Sequence, residues 1–320
     1  MRTPSFHQLH QIDSSQLAAE AVAGLAAKAA HVSPKFLYDA LGSRLFDAIT
    51  ELDEYYPTRT EAGIFTQALP QMTAAIQAAA GAHPTLVDLG AGNCAKAARL
   101  FSAVAPKRYV AVDISVDFLR QSLASLQRQY EHIEMVGVGL DFSARLALPP
   151  ALCEGPALVF YPGSSIGNFN PQEALRLLRE ARAMAAGGAL LIGVDLVKPV
   201  ALLEPAYDDA LGVTAAFNLN LLNHLNRLIG ADFKVREWQH VALFNSNDSR
   251  IEMHLQARHA LSVHWPNGER RFAQGERLHT ENSYKWKPTD FEALLRSAGF
   301  AKVQAWTDEQ DWFAVMLASV

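Results

Sequence analysis

Five short apolar runs set the limits on what this chain can fold into: TLVDL (85–89), RYVAVD (108–113), HIEMVGV (132–138), ALVFY (157–161) and ALLIGVD (189–195). Stretches with helical spacing separate several of them, near 95–104, 116–129 and 171–186. Strands covered by helices on both faces have no polar side to show, so they read as continuous apolar runs. Their alternation with helices predicts βαβ units and an α/β fold built on a doubly wound, mostly parallel sheet. Right-handed crossovers then gather the strand C-termini along one edge, where ligands bind.

Outside this region the rhythm changes. Residues 14–30 are alanine-rich with helical spacing and Ser14 or Ser15 available as a cap, and further helices are expected at 34–50 and 58–80. Residues 203–229 read as helical, whereas 241–265 alternate like an antiparallel meander. A helix over 290–300 ends at Gly299, and KVQAWTD and DWFAVMLAS then suit an antiparallel pair closing the main sheet. We therefore expect a nucleotide-type α/β domain at 61–196 and 287–320. A second, α+β domain facing the substrate is expected from 1–60 and 197–286.

The bulk properties narrow the function classes. A chain of 320 residues that is 50% hydrophobic has ample core for one large or two joined domains. A net charge of −5 and a pI near 6.1 argue against nucleic-acid and membrane-surface partners. The two cysteines, Cys94 and Cys153, are far apart, which disfavours a disulfide framework or thiolate metal site and fits a reducing cytoplasm. The N-terminus has no apolar signal region, and no run is long and apolar enough to span a membrane. His254, His259 and His264 recur every five residues, which places neighbours apart on either regular structure, so no metal site is expected.

GAGNCA (90–95) follows the first of the core strands and satisfies the weak G-x-G-x-x-A form of a nucleotide loop. Gly90 and Gly92 let backbone approach a ligand. Asp113, at the end of the second strand, suits the two hydroxyls of a ribose more than the alternative role of a helix N-cap, which the following Ser115 and helical pattern would allow. Asp141 and Phe142 after the third strand offer a polar contact and a stacking face for an adenine. NAD and S-adenosylmethionine share this geometry. Asp88 leans toward the latter, because a carboxylate there attracts a cationic amine or sulfonium and repels a pyrophosphate. Lys96 is placed for a ligand carboxylate, and the closing strand pair, with Trp306 and Trp312, suits a methyltransferase sheet.

From about residue 33 onward the chain resembles the histidine-specific Nα-methyltransferases of ergothioneine biosynthesis, which turn L-histidine into hercynine. The blocks carrying the resemblance are FLYDALGSRLFDAI (36–49), EYYPTRTEAGIF (54–65), GSSIGNFNP (163–171), YDDALGVTAAFN (207–218), NDSRIEMHL (247–255) and ENSYKW (281–286). The resemblance implies a Rossmann-like S-adenosylmethionine-dependent methyltransferase core with an added domain covering the amino-acid site. It implies a monomer that methylates one α-amine three times.

Residue by residue, the resemblance implies that Asn168 and Tyr207 take the substrate carboxylate and that Tyr38 and Phe46 lie near the amine. Tyr56 helps enclose the imidazole and Met253 packs near the ring. Glu281 and Ser283, two apart and so on one face of a strand, would hold the two imidazole nitrogens. Asn282, and Asn93-Cys94 in the glycine loop, depart from the family pattern; Cys94 reads as a packing residue. Another amino-acid substrate such as tryptophan, an NAD-linked dehydrogenase and a non-catalytic regulator stand as rival readings.

Overall fold

A computed structural model describes residues 2–9, 14–114 and 116–320 of the chain, without the side chains of 116–118. Ser115 lies outside them. In chain order the elements begin with β1 (Ser5–Gln8), α1 (Ser14–Ala26), α2 (Ala40–Ile49) and α3 (Tyr56–Ala80). The alternating region follows as β2 (Thr85–Leu89), α4 (Ala95–Val104), β3 (Arg108–Asp113), α5 (Val116–Gln129) and β4 (Glu134–Gly139). It continues with β5 (Ala157–Tyr161), α6 (Pro171–Ala185) and β6 (Ala189–Asp195). Then come α7 (Val200–Leu203), α8 (Val213–Ile229), β7 (Trp238–Asn245), β8 (Arg250–Ala257), β9 (Leu261–Trp265), β10 (Gly268–Phe272) and β11 (Arg277–Tyr284). The chain ends with α9 (Pro288–Ser297), β12 (Lys302–Thr307) and β13 (Phe313–Ser319).

Two compact units result. The first holds β1 with residues 59–196 and 286–320; the second holds α1 up to residue 58 and residues 197–285. The first unit is one sheet of order β1-β4-β3-β2-β5-β6-β13-β12. Its strands are parallel from β1 to β6, whereas β13 runs antiparallel to both β6 and β12. Alternate residues feed opposite faces. Val87, Val110, Val136 and Val159 pack with α6 and α9 residues such as Leu177 and Phe291. Leu86, Tyr109, Met135 and Leu158 pack with Met72, Leu100 and Leu123 on the other side. Both faces are covered, which is why the strands read as unbroken apolar runs.

The second unit carries a three-stranded antiparallel sheet of order β11-β8-β7 and a β9–β10 hairpin, with α1, α2 and α8 packed by residues such as Leu25, Phe217 and Leu221. The expected meander is therefore split, since β9 turns away to pair with β10 and β8 takes β11 instead.

The structure corrects three element expectations. The N-terminal residues assigned to the substrate-facing domain include β1, which adds a parallel edge strand to the main sheet beside β4. The helix over 34–50 is broken: a single tight turn at Pro34–Leu37 ends before Asp39, whose carboxylate accepts the Gly42 amide at 2.7 Å and starts α2 anew. The helix over 203–229 is interrupted likewise, because Asp209 accepts the amides of Val213 and Thr214 at 2.9 and 2.7 Å and nucleates α8 after a loop.

Candidate active site

In the first unit the glycine loop is stitched to the end of β3. The amides of Gly90 and Ala91 donate to the carbonyl of Val112 at 2.9 and 3.1 Å, and the Gly92 amide donates to Asp113 Oδ2 at 2.9 Å. Gly90 and Gly92 have φ of 70° and 51°, left-handed values that a side chain resists. A Cβ on Gly90 would point at Phe142, whose Cζ is 3.9 Å away. Glycine loop, Asp113 and Phe142 thus meet at the C-terminal edge of the sheet, as a nucleoside cradle requires. Cys94 is buried behind the loop, and burial pushes its thiol up to about 12, so it is a neutral packing group.

The other residues expected at the donor each have a partner within the first unit. Asp88 is not an open carboxylate: it is buried, accepts the Tyr109 hydroxyl at 2.8 Å and leaves Oδ1 without a partner. Burial raises its pKa to about 7. Asp88 thus turns one oxygen to Tyr109 of β3 and leaves the other unsatisfied. Asp141 turns its carboxylate onto the amide of Ser143 at 3.0 Å and onto the Ser143 hydroxyl, shaping the turn that carries Phe142. Lys96 pairs at 2.8 Å with buried Glu61, whose other oxygen accepts the Gly163 amide at 2.7 Å. Sequence reading missed Glu61, since nothing in its spacing marks a partner in another block. Asn168 ends the short turn Ser165–Asn168 after β5, half-buried.

Glu61 explains a glycine. A Cβ at Gly193 on β6 would lie 2.1 Å from Glu61 Oε1 and 3.1 Å from the Gly163 amide nitrogen. Gly193→Ala must push Glu61 Oε1 off the Gly163 amide, and we expect it to cost about 2 kcal/mol of stability, read by denaturant unfolding. Unchanged stability would show that Glu61 can move freely.

The second unit collects most of the residues singled out for the amino acid. Glu281 and Ser283 lie on β11, and Glu281 stands directly opposite Met253 of β8. Glu281 is buried with Oε2 lacking any partner, and burial lifts its carboxyl to about 7 against the opposing pull of Lys285. The Ser283 and Tyr207 hydroxyls share a hydrogen bond of 2.7 Å. The Tyr207 carbonyl is held at 2.8 Å by His240, which is itself bonded to Asn218 at 2.9 Å. Tyr38 and Phe46 meet edge to face with centroids 5.5 Å apart, and Phe217 of α8 lies 5.5 Å from Tyr38 and 6.0 Å from Phe46.

Tyr56 and its neighbour Tyr55 are placed differently. Its hydroxyl accepts from Lys198 at 2.9 Å, and the ammonium sits 4.3 Å from the ring centroid. Tyr55 instead joins the aromatic group, with centroids 6.2 Å from both Phe46 and Tyr207. Adjacent residues at a helix start point in different directions. Among the described residues no three His, Cys, Asp or Glu are grouped for an ion. His254 is buried against Glu252 and His279, whereas His259 and His264 are exposed.

A sheet in which one antiparallel strand enters between β6 and β12, with a glycine loop and an acidic residue ending the next strand, defines the class as a Rossmann-like α/β fold. The chain belongs to the histidine-specific, S-adenosylmethionine-dependent methyltransferase family, whose pattern it matches over residues 17–320. It is 43% identical over 303 residues to a histidine N-alpha-methyltransferase of Mycolicibacterium smegmatis, covering 92% of each chain. It is 40% identical to a histidine N-alpha-methyltransferase of Mycobacterium tuberculosis, covering 89% of each. A Neurospora crassa ergothioneine biosynthesis protein 1 is 30% identical, covering 88% of this chain and 32% of that one.

Proposed function

We propose that this enzyme transfers methyl groups from S-adenosylmethionine to the α-amine of L-histidine, three in succession, giving hercynine at the entry to ergothioneine biosynthesis. Family membership and the named relatives support donor and substrate. The observation that carries the substrate reading is Glu281: a buried carboxylate with an oxygen left unpartnered, beside the Ser283 hydroxyl on the same strand. Such an oxygen costs free energy until a donor reaches it, and an imidazole N–H is such a donor. An indole has one donor and no acceptor, so it would leave the serine unmatched. A cytoplasmic monomer is part of the same proposal; among the described residues no helix is long and apolar enough to cross a membrane.

When bound, the donor supplies a sulfonium-activated methyl group whose thioether leaves without acid catalysis. In our reading the loop at Gly90–Gly92 lets backbone approach it, Asp113 accepts its ribose hydroxyls, Phe142 packs its adenine and Lys96 meets its carboxylate. Tyr207 donates to the substrate carboxylate, Met253 packs the ring, and Tyr55 takes the enclosing role first given to Tyr56. Tyr38 and Phe46 flank the amine. Their faces favour a cation by on the order of 1 kcal/mol, which suits a product that ends quaternary. Positioning of the neutral amine supplies much of the rate, and each round needs one proton lost to solvent, since the free amine is mostly protonated near neutral pH. A quaternary nitrogen has no lone pair, which ends the reaction.

The test is mass spectrometry of products from purified protein, S-adenosylmethionine and an equal mixture of the twenty amino acids. Three methyl groups on histidine alone are expected. Methylation of a different amino acid would keep the donor and overturn the roles of Glu281 and Ser283.

A further inference from the structure

The side chain of His240, on β7, is buried, 3% exposed, and both of its ring nitrogens are engaged. Nε2 meets the Tyr207 carbonyl at 2.8 Å, and Nδ1 meets Asn218 Nδ2 at 2.9 Å. The same Asn218 nitrogen donates to the His254 carbonyl at 3.1 Å, and Asn218 is fully buried on α8. The exposed Asp208 carboxylate lies 3.9 Å from Nε2.

Counting donors and acceptors orients this relay. A carbonyl only accepts, so the His254 carbonyl takes the NH2 of Asn218 and not its oxygen. The second hydrogen of that NH2 faces His240 Nδ1, which is therefore the bare, accepting nitrogen. Nε2 then carries the ring proton and donates to the Tyr207 carbonyl. His240 is held as one neutral tautomer, and burial also pulls its pKa down. The arrangement has a cost: Asn218 Oδ1 is buried with no partner. Turning the amide over would set that oxygen against the His254 carbonyl.

The relay ends on the backbone that delivers Tyr207. The Tyr207 hydroxyl shares its 2.7 Å bond with Ser283 of β11, whichever oxygen donates. Resting on the function proposed above, we infer that His240 is a positioning residue for histidine binding, acting through the Tyr207 main chain to place the Tyr207 hydroxyl against Ser283. Asn218 fixes the tautomer that does so.

The experiment is a double-mutant cycle on the full chain, read by calorimetric titration with L-histidine in the presence of S-adenosylhomocysteine. His240→Leu and Tyr207→Phe should each weaken histidine binding about tenfold and leave S-adenosylhomocysteine affinity within about twofold of wild type. Together they should bind histidine no more than about threefold more weakly than Tyr207→Phe alone. A histidine that only fills the core would act equally with or without the tyrosine hydroxyl, so losses that multiply to about a hundredfold overturn the assignment. His240→Gln carries an N–H for Tyr207 and an oxygen for Asn218, and should return histidine affinity to within about threefold of wild type. A glutamine no better than leucine, or a Tyr207→Phe that binds like wild type, also overturns it. If His240→Leu does not fold, Asn218→Ala takes its place in the cycle with the same expectation of non-additivity. If neither folds, His240 is structural and the assignment falls. Failure of wild type to methylate histidine would instead sink the function proposal, and the product masses read that separately.

Discussion

Glu281→Gln should lower kcat/KM for histidine by about a hundredfold or more, while making the ligand-free protein more stable than wild type at about pH 8. The activity loss follows from geometry. Glutamine keeps the shape of the side chain and one acceptor oxygen, but it carries no charge, so the bond from an imidazole N–H loses its charge assistance and the NH2 takes the place of a second acceptor. S-adenosylhomocysteine affinity should stay near wild type, because the carboxylate lies in the second unit and the glycine loop in the first.

The stability gain follows from the sign of the shift. Burial raises the Glu281 carboxyl from 4.5 to about 7 in the folded chain. Below the unfolded value both states are protonated. Between the two values the folded chain retains a proton that the unfolded chain has given up, so this group's contribution declines as pH rises and levels off above about 7. Glutamine has no such slope. The variant-minus-wild-type difference in unfolding free energy should therefore grow by about 2 kcal/mol between about pH 5 and pH 8, read by urea titration. Taking the difference removes the opposite slope of His254, which burial depresses to about 4 and which is common to both proteins. A flat difference would mean that Glu281 is ionised, with its charge satisfied, even without ligand.

The alternating region was legible because burial on both sheet faces writes itself into composition. The strands β2, β3, β5 and β6 and the helices α4 and α5 fall where the apolar runs and helical spacing put them. What stayed hidden depends on partners distant in the chain. SFHQ carries no alternation and becomes a strand only because β4 offers an edge. The hydrogen bond of Asp88 stayed hidden because its partner Tyr109 belongs to the next strand. Tyr55 and Tyr56 differ by one position, and what separates them is Lys198, far along the sequence.

Asp113 should govern the donor as strongly as Glu281 governs the acceptor, and its two substitutions separate two jobs. Its carboxylate braces the loop through the Gly92 amide, and in the proposed complex it accepts from the ribose hydroxyls. Asp113→Ala removes both, and S-adenosylhomocysteine affinity should fall about a hundredfold. Asp113→Asn leaves one amide oxygen, enough for the Gly92 bond, but offers the ribose an NH2 that cannot accept, so the loss should be nearer about tenfold. Histidine methylation should follow the same order at low donor concentration and recover substantially in Asp113→Asn when donor is raised, since the amine site lies on other residues. Calorimetry of both variants decides between the roles. If asparagine binds like wild type while alanine does not, Asp113 is a brace for the loop alone, and the ribose must be held elsewhere along the sheet edge.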